Sequence, residues 1–234
     1  MSTISQPLKF QPFDDKGPVR IYRNGFLPHL RQAGCTYFVT FRLDDSVPEK
    51  VLRQWRSERF GWLKARSIEI GEPGFNEKFD ALSEQDKASF ERAYAIRLFE
   101  ELDKCHGSNC LSMSEVAKVV AESLEFFHGS RLEIGDYVVM SNHVHALITP
   151  LASFDLENVL HSIKSFSANK INKRLSKTGA LWMSESYDRL VRDESELLRT
   201  QEYIRANPSK AGLQVEECPM RTVQYSIYSE LQCE

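Results

Sequence analysis

The sequence predicts an α+β fold: a ferredoxin-like (RRM-like) antiparallel sheet with helices on one face and a further C-terminal helix. Three observations point there. Residues 137–149 hold two apolar runs divided by Ser141-Asn142, the pattern of two strands joined by a tight turn. Residues 36–43 form an earlier β-rich stretch, and residues 187–192 a later one. With residues 48–104 set aside, the order reads strand, helix, strand, strand, helix, strand, helix, which is a split βαβ arrangement.

Each element has a local reason. Residues 1–34 carry Pro7, Pro12, Pro18 and Pro28 with little periodicity, so an extended arm is expected, made locally basic by Arg20, Arg23 and Arg31. Asp44-Asp45-Ser46 ends the first strand. Residues 48–104 read as a helical insertion within a single 1–234 domain. Pro48-Glu49-Lys50 opens a helix to about Arg66 that carries Val51, Trp55 and Trp62. Gly71, Pro73 and Gly74 mark a loop. Ser83 with Asp86 resembles a cap before a second helix through Phe90, Tyr94, Leu98 and Leu102.

Ser112-Met113-Ser114-Glu115 has the form of a capping box, and Val116, Val119, Val120, Leu124 and Phe127 follow at helical spacing. Gly129 ends that helix, and strands over 131–140 and 143–149 come next. Asp155 opens an amphipathic helix. Leu156, Leu160, Ile163, Ile171 and Leu175 face a core, with Lys164, Lys170, Lys173, Arg174 and Lys177 at exposed positions, and Gly179 stops it. Asp193 and Glu196 cap a last helix that runs to Asn207, where Pro208 is expected to prevent continuation. In the tail, 214–234, Tyr225 and Tyr228 are expected to pack against the sheet.

Composition narrows the function classes. A chain of 234 residues, 41% hydrophobic and 27% charged, suits one large domain with a true core. No apolar run approaches the roughly 20 residues of a membrane span, and the N-terminus lacks a signal-peptide core, so a cytoplasmic protein with no membrane partner is expected. Cys35, Cys105, Cys110, Cys218 and Cys233 are odd in number and irregular in spacing, which fits reduced thiols. Cys105-His106 with Cys110 offers soft ligands but no fourth for zinc. The net charge of −3 predicts no bulk attraction to nucleic acid, so DNA binding requires a local basic surface. The cations of the 155–179 helix, with Arg189, Arg192 and the indole of Trp182, are the candidates; a solvated face, or for Trp182 a core position, explains them as well.

His143 and His145 alternate with Val144 along a strand, so both imidazoles project from one face. Two such rings can share a divalent cation; equally, one can pack in a core and the other meet water. Tyr203 and Asn207 are four apart on one helix and share a face. Two imidazoles and an amide oxygen leave positions on a cation for phosphate oxygens and water, and Tyr203, one turn away, would sit near the phosphorus as nucleophile. Attack by a phenol keeps the bond energy in a phosphotyrosine ester that a free 3′-hydroxyl can reverse. Tyr187 lacks a ligand four residues on, and on a strand it packs or contacts DNA; His161 reads as a surface residue.

Taken in order, His143-Val144-His145 after Val138-Val139-Met140-Ser141-Asn142, then Trp182, Tyr187-Asp188-Arg189 and Tyr203-Ile204 with Asn207-Pro208, resemble the HUH single-tyrosine transposases. Within them they resemble the REP-associated tyrosine transposases, relatives of the insertion-sequence-200-like enzymes. The resemblance implies metal ligation by His143, His145 and Asn207, Mg²⁺ or Mn²⁺ as cofactor, and Tyr203 forming a 5′-phosphotyrosine link. It implies single-stranded, hairpin-forming DNA as partner, repeated extragenic palindromes included, and a monomer or homodimer. Ser141 stands where the family usually has Pro, and residues 48–104 are absent from its smallest members. Three activities fit: a metal-dependent DNA strand transferase, a non-catalytic nucleic-acid-binding protein of the same fold, and a metal phosphoesterase using water.

Overall fold

The computed structural model describes residues 7–24 and 27–226. The chain divides into two compact units, Asp45–Ser108 and the sequence on either side of it. The larger unit begins with β1 (Leu8–Lys9), β2 (Arg20–Asn24), β3 (Leu27–Arg31) and β4 (Tyr37–Arg42). The smaller contains α1 (Glu49–Lys64), α2 (Phe75–Asp80) and α3 (Glu84–Leu102). The larger resumes with a 3₁₀ turn, then α4 (Ser114–Glu125), β5 (Leu132–Val139), β6 (His143–Pro150), α5 (Leu156–Leu175), β7 (Tyr187–Leu190), α6 (Glu194–Lys210), β8 (Met220–Arg221) and β9 (Tyr225–Ser226).

The main sheet has the order β7-β4-β6-β5-β8, with all neighbours antiparallel. Its first four strands have the ferredoxin-like order expected from the split βαβ pattern. Alternation sorts the faces. Tyr37, Val39 and Phe41 of β4 and Val144, Ala146 and Ile148 of β6 pack with Val116, Val120 and Leu124 of α4 and Val159, Ile163 and Ile171 of α5. The other face carries Thr40, Phe38 and the two histidines, and α6 lies there, where Gln201 meets Asp136 and Tyr203 meets His145.

In the smaller unit Leu63, Ile68 and Phe79 form a core of their own, with Trp62 stacked near Phe90 at 4.6 Å. Ser83 caps α3 by accepting from the Asp86 amide, as the capping pattern suggested. The short α2 follows directly on Gly74, at the end of the stretch expected to be only a loop.

Three expectations are corrected, and the tail adds strands. The N-terminal stretch is not simply an extended arm: β2 and β3 form a hairpin. That hairpin is held by side chains whose partners are distant in sequence. His29 Nδ1 lies 2.9 Å from Asp188 Oδ2, and Arg31 grips the same carboxylate with two nitrogens and donates to Glu157 at 2.7 Å. The Ser112–Glu115 box is not formed: Cys110–Ser112 is a 3₁₀ turn, and α4 starts at Ser114 without a side-chain cap. Pro208 does not end α6, which continues to Lys210. Proline removes one donor, and so close to the end a single missing bond is tolerated. The tail supplies β8, an extra strand beside β5, and β9, which pairs parallel with β1. Tyr225 is half-buried, with its phenol pushed up by desolvation; Tyr228 lies outside the described residues.

The β5–β6 register shifts between Ile134 and Tyr137. A Cβ on Gly135 would stand 1.9 Å from Tyr225 Oη and 3.1 Å from Leu147 Cβ. Gly135→Ala is therefore expected to lower stability by about 1–3 kcal/mol, and Tyr225→Phe in that background should recover part of the loss, a non-additivity that a denaturant-unfolding cycle reads directly. The hairpin anchor also titrates. Burial opposes the His29 cation, but the hydrogen bond and charge of Asp188 outweigh it and raise its pKa. For Asp188, burial is likewise outweighed, by His29 and Arg31, and the carboxyl is held low. The His29 contribution is complete below the unfolded value of about 6.5 and lost as pH rises through the raised one. His29→Gln should thus lower the urea midpoint more at pH 6 than at pH 9.

Candidate active site

β6 brings the imidazoles together. His143 Nε2 lies 3.1 Å from His145 Nε2, both residues are 1% exposed, and the rings meet edge to face at 4.6 Å. Each ring is oriented from behind. His143 Nδ1 is 2.7 Å from the Asn142 side-chain oxygen, which can only accept, so Nδ1 carries the proton and Nε2 the lone pair. His145 Nδ1 is 2.7 Å from Thr40 Oγ1, and Phe38 stacks on its ring at 5.5 Å. Burial pulls the His143 pKa down to about 3, and burial with its neighbour's charge pulls His145 well below the usual value. Both rings are therefore neutral at pH 7.

α6 delivers the phenol. Tyr203 Oη lies 3.4 Å from His145 Nε2, its ring meets Phe38 edge-on at 6.0 Å, and Lys210 Nζ stands 4.8 Å over it. One turn on, Asn207 is 1% exposed, and its Oδ1 is buried with no hydrogen-bond partner. That orphan oxygen and the facing imidazole nitrogens fit a divalent cation. Nitrogens about 2.1 Å from one ion at roughly a right angle would stand about 3 Å apart, which matches the observed spacing. Each ring uses its other nitrogen for a hydrogen bond, the usual arrangement behind a ligating histidine. Among the described residues no three His, Cys, Asp or Glu side chains cluster as a metal set.

Asp136 was not singled out by the sequence. It is fully buried, and its carboxylate accepts from Gln201 Nε2 at 2.6 Å, Arg205 Nε at 2.8 Å and the Val223 amide at 3.3 Å. Gln201 and Arg205 flank Tyr203 on α6, so one carboxylate seats the helix that carries the phenol. An apolar strand interrupted by Gly135-Asp136 was the available signal. Phe38, whose ring touches His145, Tyr187 and Tyr203 and underlies Arg189, was also missed, because an aromatic in a strand reads as core.

The expected DNA-contacting residues scatter. Lys164 is not on an exposed position: its ammonium donates to the Met183 and Ser184 carbonyls at 2.6 and 2.8 Å, and burial lowers its pKa to about 8. Trp182 is 6% exposed, donates its indole N–H to Ser167 Oγ at 3.0 Å and packs on Phe41, so it is core and offers no stacking face. Lys173, Arg174 and Lys177 are exposed, and Lys170 lies over Phe166, on the helix that covers the sheet face opposite the histidines. Arg189 and Tyr187 lie on the histidine side of β7, with Arg189 also paired to Glu196; Arg192 is exposed just beyond. Cys105 and Cys110 are free thiols, as are Cys35 and Cys218; Cys233 lies outside the described residues.

Residues 111–207 match the family model described as "Transposase IS200 like". This stretch contains His143, His145, Tyr203 and Asn207, and over it the resemblance to the insertion-sequence-200-like transposases is borne out. No curated protein matches the chain. One similar solved structure is described as "Structure of the REP associates tyrosine transposase bound to a REP hairpin", with 14% identity, a TM-score of 0.43, and coverage of 84% of this chain and 78% of that one. Among the described residues no helix is long and apolar enough to cross a membrane.

Removing the Asp136 carboxylate strips partners from Gln201, Arg205 and Val223. Asp136→Ala should cost about 1–3 kcal/mol in chemical unfolding, with Asp136→Asn in between, since it keeps one acceptor.

Proposed function

We propose that the protein is a metal-dependent single-stranded DNA endonuclease and strand transferase, with Tyr203 as nucleophile and His143, His145 and Asn207 as metal ligands. The observation that carries this reading is the convergence of the Tyr203 hydroxyl, 3.4 Å from His145 Nε2, with two neutral imidazoles that face each other. Mg²⁺ or Mn²⁺ held there would neutralise the scissile phosphate and polarise it toward attack. Residues 48–104 are then a helical insertion in a single transposase-like domain.

The phenol oxygen of Tyr203 attacks the phosphorus. The Tyr–O–P bond forms as the bond to the 3′-oxygen breaks, and the phenol proton is balanced by protonation of that leaving oxygen. The product is a 5′-phosphotyrosine ester and a free 3′-hydroxyl, and a second 3′-hydroxyl reverses the step. Phe38 holds the phenol and the His145 ring in register. Lys210 stands over the ring, a cation–π contact that holds the phenol in place. Arg189, on the same face, is placed for a backbone phosphate. The DNA class, hairpin-forming single strands such as repeated extragenic palindromes, follows from the transposase resemblance, as does a bacterial cytosol setting.

The test is a gel assay for covalent protein–DNA adduct with single-stranded hairpin substrates and Mn²⁺ or Mg²⁺. The wild type should form an adduct that chelator abolishes, and Tyr203→Phe should form none. Loss of an outer-shell partner costs metal affinity about 10–100-fold, so Asn207→Ala, which removes a ligand, should weaken Mn²⁺ at least as much by titration. Undiminished adduct in Tyr203→Phe would overturn the assignment. Turnover without adduct would indicate attack by water, and binding without cleavage a DNA-binding protein that does no chemistry.

A further inference from the structure

The smaller unit sorts its charge by helix. Residues 49–66 carry six cations against two carboxylates, while residues 67–108 carry five against ten. Both carboxylates of α1 are engaged. Glu49 pairs with Arg56 at 3.2 Å, and Glu58 pairs with Arg97 of α3 and accepts from Gln54.

One stripe of α1 is left with positive charge alone. Lys50, Arg53, Ser57, Phe60 and Lys64 follow at steps of three and four, which puts them on one face, and all five are exposed. The other side of the helix is the one that packs: Trp55 meets Tyr94, Trp62 meets Phe90, and Leu63 enters the unit's core. Among the described residues no carboxylate pairs with Lys50, Arg53 or Lys64. The stripe from Lys50 to Lys64 is about 21 Å long at the helical rise.

A helix face that serves solubility alone usually interleaves both signs. This one holds cations and a ring. Phe60 is 49% exposed, on the stripe between Arg53 and Lys64. Cations without acids beside them match a chain of phosphates. A ring among them matches an unpaired base, since every base has a π-face to stack. Duplex bases are already stacked on one another, so the ring selects the single strand.

We propose that this face of α1 binds single-stranded DNA, with Lys50, Arg53 and Lys64 on backbone phosphates and Phe60 against a base. The inference rests on the DNA-processing reading and gives the smaller unit a part in it, a holding surface made of residues other than those that react.

The experiment is fluorescence anisotropy with the full chain, in the Tyr203→Phe background so that no covalent link forms, and a labelled oligothymidylate of about 16 nucleotides. Binding is read across salt concentrations. Each phosphate neutralised on a single strand adds about 0.7 to the slope of log K against log salt, so Lys50→Gln/Arg53→Gln/Lys64→Gln should flatten that slope by about 2. The charge-keeping triple Lys50→Arg/Arg53→Lys/Lys64→Arg should retain it. Phe60→Ala should weaken oligothymidylate about tenfold and leave a duplex of equal length unaffected, and Phe60→Trp should bind as the parent does. An unchanged slope in the glutamine triple, full binding in Phe60→Ala, an equal loss on duplex, or no binding by the parent overturns the proposal. So does displacement by polyglutamate as readily as by unlabelled oligothymidylate, which would mark an acidic protein as the partner. Should the triple variant fail to fold, the three single changes decide, each removing about 0.7 of slope. The adduct assay with Tyr203 intact is a separate readout: the slope loss without adduct leaves this surface standing and the catalytic reading fallen, and adduct with an unchanged slope does the reverse.

Discussion

The seating of α6 on the sheet depends on one buried carboxylate. Asp136 has no exposure to solvent, and its oxygens reach two side chains of α6 and one backbone amide of the tail. Helix-to-sheet packing through apolar side chains alone fixes depth better than rotation. A carboxylate that accepts from Gln201 and from Arg205, one turn apart, also fixes how far the helix has turned about its axis. That rotation decides whether Tyr203 and Asn207 face β6, so the site inherits its geometry from a residue that need not touch a substrate.

The second constraint is the strict alternation of β6. Val144, Ala146 and Ile148 fill the core with α4 and α5, and the same pleat directs His143 and His145 to the other side. A one-residue slip would exchange the two sets, placing imidazoles in an apolar core. The core thus fixes the register that the chemistry needs, and pairing of Thr40 with His145 across β4 fixes the ring orientation too.

Much of this was legible from the chain itself, for identifiable reasons. Period-two alternation revealed β6 and the common face of its histidines; spacing by four revealed that Tyr203 and Asn207 share a side of α6. The β2–β3 hairpin was not legible, because its anchor is Asp188, far along the chain, and prolines nearby imitate an irregular arm. Lys164 and Trp182 misled for a related reason. A lysine on a polar helix face and a tryptophan after a turn look available for ligand, and only the fold shows the carbonyls and the hydroxyl that consume their donors. Asp136 was invisible because its partners lie on α6 and beyond it.

The tail strand has a mechanical consequence. Val223 gives its amide to Asp136 and takes hydrogen bonds on its carbonyl from Gln201 and Arg205. The same three side chains that hold the phenol-bearing helix are therefore latched by a short peptide at the sheet's rim, next to β8. Peeling that peptide away would strip hydrogen bonds from Asp136, Gln201 and Arg205 together, so the rim and the helix are mechanically one piece.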